Sequence, residues 1–314
     1  MTFVRHFLSQ YKSLLGLVIL VTVVSIATPN FLEVANLLNV LRQTSINAII
    51  AMGGTFVILT AGIDLSVGSV LALAGAFAAS LIAAGQGLAL TIPLALLTGL
   101  ALGAVSGLVI TFGAVQPFIA TLVSLTVLRG ALLVFSSGTP IDASSGPASD
   151  AFAALGDGYV LGLPIPVVVA LVVFACCWVI LTQTRFGRYV YAIGGNENVA
   201  RLSGINVALI KTSVYAISGL LSALAGIILT ARLQSAQPTA GQGYELDAIA
   251  AVVVGGTSLA GGIGGIAGTL VGALIIGVLN NALNLLDVSS YYQMIAKGSV
   301  ILLAVLVDRQ GRSN

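Results

Sequence analysis

The sequence predicts an all-α, polytopic membrane fold, and three observations carry that prediction. Of 314 residues, 58% are hydrophobic and only 7% charged, against about 25% charged in a soluble domain. Mean hydropathy is +1.11, which leaves too little polar surface to coat a water-soluble globule and excludes a disordered chain. The apolar runs approach the ~20 residues a helix needs to cross a bilayer. They also lack the polar/apolar alternation of outer-membrane strands.

Taken in order, the apolar runs predict spans at 14–27, 45–60, 69–84, 88–111, 117–135, 163–181, 212–231, 248–262, 266–286 and 292–307, ten in all, within a single domain covering 1–314. The first run leads to Ala27-Thr28-Pro29-Asn30 and more spans follow, so it reads as an anchor rather than a cleaved signal. Between the first two, residues 31–42 place apolar side chains at helical spacing among Asn36, Glu33 and Arg42, as a helix lying along the interface does. The 138–162 segment, with Asp142, Asp150, Asp157 and no basic residue, reads as a loop because of its Gly, Ser and Pro content.

Orientation follows from Lys and Arg, which are retained on the cytoplasmic side. One side collects Arg5, Lys12, Arg185, Arg188, Arg201, Lys211, Arg309 and Arg312, and the other has Arg42 and Arg232. Both termini are therefore expected in the cytoplasm, the 138–162 loop outside and the 184–211 segment inside. Arg129 and Lys297 fall within spans, where each needs a carboxylate or carbonyl partner.

Glycines at 99, 103 and 107, and at 264, 268 and 272, form small-residue stripes that let helix backbones approach closely, within one subunit in the simpler reading. Gly62-Ile63-Asp64-Leu65-Ser66-Val67-Gly68 is echoed by Gly256-Thr257-Ser258-Leu259-Ala260-Gly261-Gly262. Interrupted helices in corresponding halves point to a substrate path, and coincidence in Gly-rich sequence is the alternative. Asp64 precedes an apolar helical run, so it either caps that helix or meets a polyhydroxylated solute.

Chemistry on substrates is harder to place. His6 is the only histidine, which leaves no catalytic triad and no metal-ligand set. Cys176 and Cys177 are adjacent in an apolar run and read as packing residues. No G-x-x-x-x-G-K-[ST] loop is present, so no cofactor is expected and any ATP must bind another chain. A net charge of +2 with no basic stripe sets nucleic acid aside.

The segment from Arg185 to Val207 is the longest on the cytoplasmic side. Asn196 is a good N-cap, Glu197 suits the positive helix end, and Gly204 is a good terminator, giving a two-turn helix over 197–203. Its composition fits either a plain connection or a helix that docks in a partner's groove.

Three segments together resemble the permease subunits of bacterial carbohydrate ABC importers: Gly62-Ile63-Asp64-Leu65-Ser66-Val67-Gly68-Ser69, Tyr191-Ala192-Ile193-Gly194-Gly195-Asn196-Glu197, and Glu245-Leu246-Asp247-Ala248-Ile249-Ala250 followed by Gly255-Gly256-Thr257. The resemblance covers nearly the whole chain. It implies a second copy of the permease, a cytoplasmic tandem ATP-binding subunit and a periplasmic sugar-binding protein as partners. It makes the 197–203 helix the coupling helix, with Asn196, Glu197, Ala200, Arg201, Leu202, Ser203 and Gly204 at the docking site. Helix movement would then switch a central path between outward-open and inward-open states. Candidates for that path are Asp64, Ser66, Ser69, Thr257 and Ser258, with Gly62, Gly68, Gly255 and Gly256 as the glycines of the interruptions. Arg232 and Gln234 join the outer loop as candidate contacts for the binding protein. The resemblance implies ribose as the solute, with xylose, arabinose, galactose or autoinducer-2 as the alternatives. The rival classes are an ion-coupled transporter, which the lack of serial ionisable residues disfavours, and a structural scaffold.

Overall fold

The computed structural model describes residues 12–310. Thirteen α-helices account for most of them: α1 (Lys12–Ala27), α2 (Val34–Leu59), α3 (Val67–Ala83), α4 (Leu88–Phe112), α5 (Pro117–Phe135), α6 (Ser149–Asp157), α7 (Ile165–Gln183), α8 (Arg185–Gly195), α9 (Glu197–Leu202), α10 (Val207–Leu233), α11 (Tyr244–Val254), α12 (Ile266–Leu285) and α13 (Ser290–Gln310). Nine of the ten expected spans fall on a helix over nearly their whole length, the exception being 248–262, and α4, α5, α7, α10 and α12 are each long and apolar enough to cross a membrane alone. Arg5, His6 and Arg312, used above, lie outside the described residues.

The core is built around α10, whose positions 218–226 carry Ser218, Gly219, Ser222, Ala223, Ala225 and Gly226. With these small side chains gathered on one broad side, it packs against α2, α3 and α4 at once. In lipid such packing is driven by van der Waals contact and not by expulsion of water. The 99/103/107 stripe does this on α4: a Cβ at Gly103 would collide with the Tyr215 carbonyl oxygen of α10, and one at Gly99 with Gly219 and Ala223. The other stripe is partly corrected. Gly264 precedes α12 and lies against Thr257, while Gly268 and Gly272 are on the helix and face Gly255 and Ala251 of α11. Both stripes serve contacts within this chain.

Two expected element boundaries differ. Residues 31–42 do not lie along the interface. Phe31 sits in a 3₁₀ turn (Pro29–Leu32), buried with Val24, Val40, Val278 and Ala282, and α2 runs unbroken from Val34. No Gly or Pro separates Arg42 from Ser45, so nothing stops the helix. Asn36 turns inward instead, exchanging amide hydrogen bonds of 3.1 and 2.9 Å with Asn281, while Glu33 stays exposed. The expected span 248–262 is the second. The helix α11 has 11 residues, about 16 Å at 1.5 Å per residue, and the chain from Gly255 to Gly265 is irregular because Gly256, Gly261, Gly262 and Gly264 take positive φ.

Outside the bundle, β1 (Ile141–Asp142) pairs antiparallel with β4 (Ser235–Ala236), joining the loop after α5 to the end of α10. The strands β2 (Tyr159–Val160) and β3 (Leu163–Pro164) form a hairpin. Its two turn residues, Leu161 and Gly162, have φ of +52° and +81°, the primed turn that matches strand twist. The 138–162 segment is thus a structured loop with one short helix and no span. Arg42 of α2 donates to the Tyr159 hydroxyl at 2.7 Å and lies 5.3 Å from its ring centroid. Cys177 is buried and Cys176 exposed on α7.

Candidate functional site

The helix α9 is specified by its ends. The Asn196 side-chain oxygen accepts from the Val199 amide at 3.1 Å, satisfying one of the orphan donors of the first turn. At the other end Gly204, at φ +82°, donates to the Arg201 carbonyl, and Ile205 donates to the Ala200 carbonyl. This is the Schellman closure, which needs a left-handed residue at the Gly204 position. The helix covers Glu197–Leu202 with Ser203 as its C-cap, one residue shorter than expected. Ala200 is the buried member, whereas Leu202 is 89% exposed, an apolar side chain presented to whatever lies below.

Glu197 bridges two cations: Arg201 at 2.9 Å within α9, and Lys211 of α10 at 2.6 Å. The hydrogen bond from Lys211, with the charges of Lys211 and Arg201 behind it, holds the Glu197 carboxyl below the usual carboxylate range. The short helix is therefore tied to the central helix of the bundle by a charge-assisted contact.

The preceding helix α8 touches both interruptions. Phe186 packs against Phe56 of α2, with ring centroids 6.3 Å apart. A Cβ at Gly194 would collide with the Leu59 carbonyl and the Gly262 amide, and these two groups are themselves hydrogen-bonded at 2.9 Å. The Tyr191 hydroxyl donates to the Gly264 carbonyl at 2.8 Å. One amphipathic helix thus clamps the end of α2 to the loop after α11.

The first interruption begins where Ala61 (φ +58°) ends α2, with Gly62 donating back to the Val57 carbonyl. A Cβ at Gly62 would strike the Tyr215 hydroxyl, and one at Gly68 the Gly241 carbonyl. The expected helix cap at Asp64 is corrected: Ser66 occupies the N-cap position of α3. Asp64 instead forms a turn two residues earlier, accepting from the Ser66 amide (3.0 Å) and hydroxyl (2.6 Å) and from Ser218 of α10 at 2.8 Å. The Ser69 hydroxyl donates to the Leu125 carbonyl of α5.

The second interruption opens with Gly255 packed on Gly268 and Gly256 at φ +91°. The Thr257 hydroxyl accepts from the Gly265 amide, and Ser258 holds the loop through its amide bond to the Ile263 carbonyl and its hydroxyl, which accepts from the Ala260 amide. All five hydroxyl or carboxyl candidates, Asp64, Ser66, Ser69, Thr257 and Ser258, are buried. The sequence echo is out of structural register by one residue, since Ala61 and not Gly62 takes the position of Gly256.

Arg129 finds the Pro238 and Ala240 carbonyls at 2.7 and 2.8 Å, and Lys297 finds Asp247 at 2.9 Å. The last pair borders a cleft that sequence reading missed. About 210 Å³ in volume, it lies between α2, α11, α12 and α13 near Arg232 in the last turn of α10. Thr44 Oγ1, Asn47 Oδ1 and Asn280 Oδ1, on residues lining it, are buried without a hydrogen-bond partner. The signal that could have found it is the repeat of polar residues four apart in apolar helices: Gln43 and Asn47, Asn280 and Asn284, Gln293 and Lys297.

Residues 36–305 match the family described as branched-chain amino acid transport system / permease component. The chain is 60% identical over 305 residues to the ribose import permease protein RbsC of Haemophilus influenzae, covering 97% of this chain and 94% of that one. It is 57% identical to the ribose import permease protein RbsC of Bacillus subtilis, covering 94% and 91%. To the D-allose transport system permease protein AlsC of Escherichia coli it is 41% identical, covering 96% and 92%. No solved structure matches. An all-helical membrane bundle with a short capped helix, matched over most of its length, thus belongs to the permease-component family of these import systems.

Proposed function

We propose that this chain is the membrane-spanning subunit of a ribose-importing ABC system in the bacterial inner membrane, driven by ATP hydrolysis on a separate subunit. The observation that carries the reading is full-length identity of 57–60% to proteins named ribose import permeases in two distant bacteria, falling to 41% for the D-allose permease. Partners are a second copy of the chain, a tandem ATP-binding subunit and a periplasmic sugar-binding protein, and both termini face the cytoplasm. The skew of Lys and Arg supports that orientation. The chain itself catalyses no bond chemistry.

In this reading α9 is the coupling helix. Leu202 inserts into an apolar groove of the ATP-binding subunit, and the Glu197–Arg201 pair sets its polar rim. Force passes from α9 to α10 through Lys211 and from α8 to both interruptions through Gly194 and Tyr191. Asp64, Ser66, Ser69, Thr257 and Ser258 hold those interruptions at the inner end of the path, so that tilting α8 moves the ends of α2 and α11 together. This is a rigid-body switch of the kind that opens one side of a transporter as it closes the other.

The test is uptake of labelled ribose at low concentration by a strain deleted for its own permease and supplied with this chain. Restored uptake that requires the ATP-binding subunit is expected. Unchanged uptake without that subunit, or none with it, overturns the reading. The variant Leu202→Asp is expected to abolish uptake while the protein remains inserted, and normal uptake by it removes α9 from coupling.

A further inference from the structure

We propose that the irregular segment 237–243, between β4 and α11, is a wall of the solute path. Thr239 and Gln242 are its solute-facing side chains, and the same segment of a second copy of this chain stands opposite. This rests on the sugar-permease reading above and adds the residues that meet the solute. The depth of the segment follows from its contacts. Helix α5 has 19 residues, about 28 Å at 1.5 Å per residue, so its whole length is needed to cross a hydrocarbon core of about 30 Å. Leu125 lies nearly halfway along it, and its carbonyl accepts from the Ser69 hydroxyl of α3 at 2.8 Å. The neighbouring Gly68 packs backbone to backbone on Gly241, which brings Gly241 near the middle of the bilayer. Arg129, one turn farther along α5, donates to the Pro238 and Ala240 carbonyls at 2.7 and 2.8 Å. After α10 and β4 the chain therefore turns back into the membrane before α11 begins.

Backbone without helix or strand is not tolerated against lipid at this depth; it is either buried in protein or lines water. The side chains decide between the two. Thr239 and Gln242 are exposed, and neither side chain has a hydrogen-bond partner among the described residues. Left in hydrocarbon, both would be costly, so this face meets water. One chain supplies one wall, and the second copy closes the path. The lining also selects the solute. A hydroxyl and a primary amide each donate and accept without charge, whereas the nearby charges are engaged by backbone: Arg129 by two carbonyls, and Glu245 Oε1 by the Gly243 amide at 3.2 Å. An uncharged polyol exchanges hydrogen bonds with both side chains and is released again, as passage requires. The wall meets the first interruption at the contact of Gly68 with Gly241, so movement of that interruption reaches the solute-facing residues directly.

The experiment uses the full complex in proteoliposomes, this chain with its ATP-binding subunit and sugar-binding protein, in a background of Cys176→Ala and Cys177→Ala. Gln242→Cys is treated with a membrane-impermeant methanethiosulfonate, which reacts with the thiolate and so reports water. Val172→Cys, on the exposed apolar face of α7, is the lipid-facing control. Position 242 is expected to react about tenfold or more faster than position 172 in the nucleotide-free or the ATP-bound complex. The bulky charged adduct is expected to lower ribose uptake about fivefold or more, with recovery after dithiothreitol. Thr239→Cys supplies the same two readings if Gln242→Cys fails to assemble. Reaction no faster than at position 172 in both states, or uptake within about twofold of the untreated complex after complete reaction, overturns the wall. Absence of ATP-dependent ribose uptake by the native complex overturns the permease reading and the sugar with it; the reaction rates, which need no ribose, still decide whether the segment faces water.

Discussion

Ala61 holds a methyl group where the backbone is left-handed, at φ +58°, in the closing position of α2 that glycine usually fills. Its side chain is exposed, so removing it sacrifices no packing. Ala61→Gly is therefore expected to raise stability by about 1 kcal/mol, the left-handed penalty less the greater freedom of glycine in the unfolded chain. Thermal unfolding in detergent reads this as a higher midpoint. Glu197 offers a second residue-scale test. Its carboxyl is depressed in the folded protein, with Lys211 the principal cause. The stabilisation is fully present above the ordinary value of 4.5 and is lost as pH falls through the lower folded value. Glu197→Gln is expected to lower the thermal midpoint near neutrality and to converge with the native chain in acid, which flattens the acid side of the midpoint against pH, and high salt is expected to weaken the native slope. An unchanged acid slope would show that α9 is held by its caps alone. The caps were legible in the sequence, because Asn196 and Gly204 act on backbone groups within four residues. The Glu197–Lys211 contact, 14 positions apart, was not, because α10 must fold back to make it.

At the scale of elements, glycine spacing decides which helices touch. Gly103 has the backbone of α10 where a side chain would go, whereas Gly130 on α5 has open space around its missing Cβ. Gly103→Leu is expected to lower stability by about 1–3 kcal/mol, the cost of overpacking, and to reduce the yield of inserted protein. Gly130→Ala serves as the matched control and should stay within about 1 kcal/mol of the native chain. Comparable losses in both would mean that helix propensity and not contact with α10 is being measured. The long helices of the bundle were legible from apolar runs, whereas α6 and α8 were not, because α6 lies in a segment read as a loop and α8 is amphipathic rather than apolar. The fate of residues 31–42 was not: a period of 3.6 shows that one face differs from the other, but whether that face meets water, lipid or the α12 helix depends on the neighbour. Likewise Gly255 and Gly256 marked a break, and its extent to Gly265 came from the close approach of Gly268 and Gly194.

Across the whole molecule, one clamp organises the mechanism proposed here. Helix α8 sits on the ends of α2 and the loop after α11, so the two interruptions, about two hundred positions apart in sequence, become a single structural unit.

What the amino-acid order determined by itself was the membrane setting, the all-helical fold class and the ends of the short helix α9. Hydrophobic content, run length and capping chemistry are local quantities, and each is complete within twenty residues or fewer. Only the folded chain decided that Asp64 belongs to a turn held by Ser218, that Gly194 joins the two interruptions, and that polar pairs from three helices face one space. Those are contacts between distant segments, set by which small residues let which backbones meet.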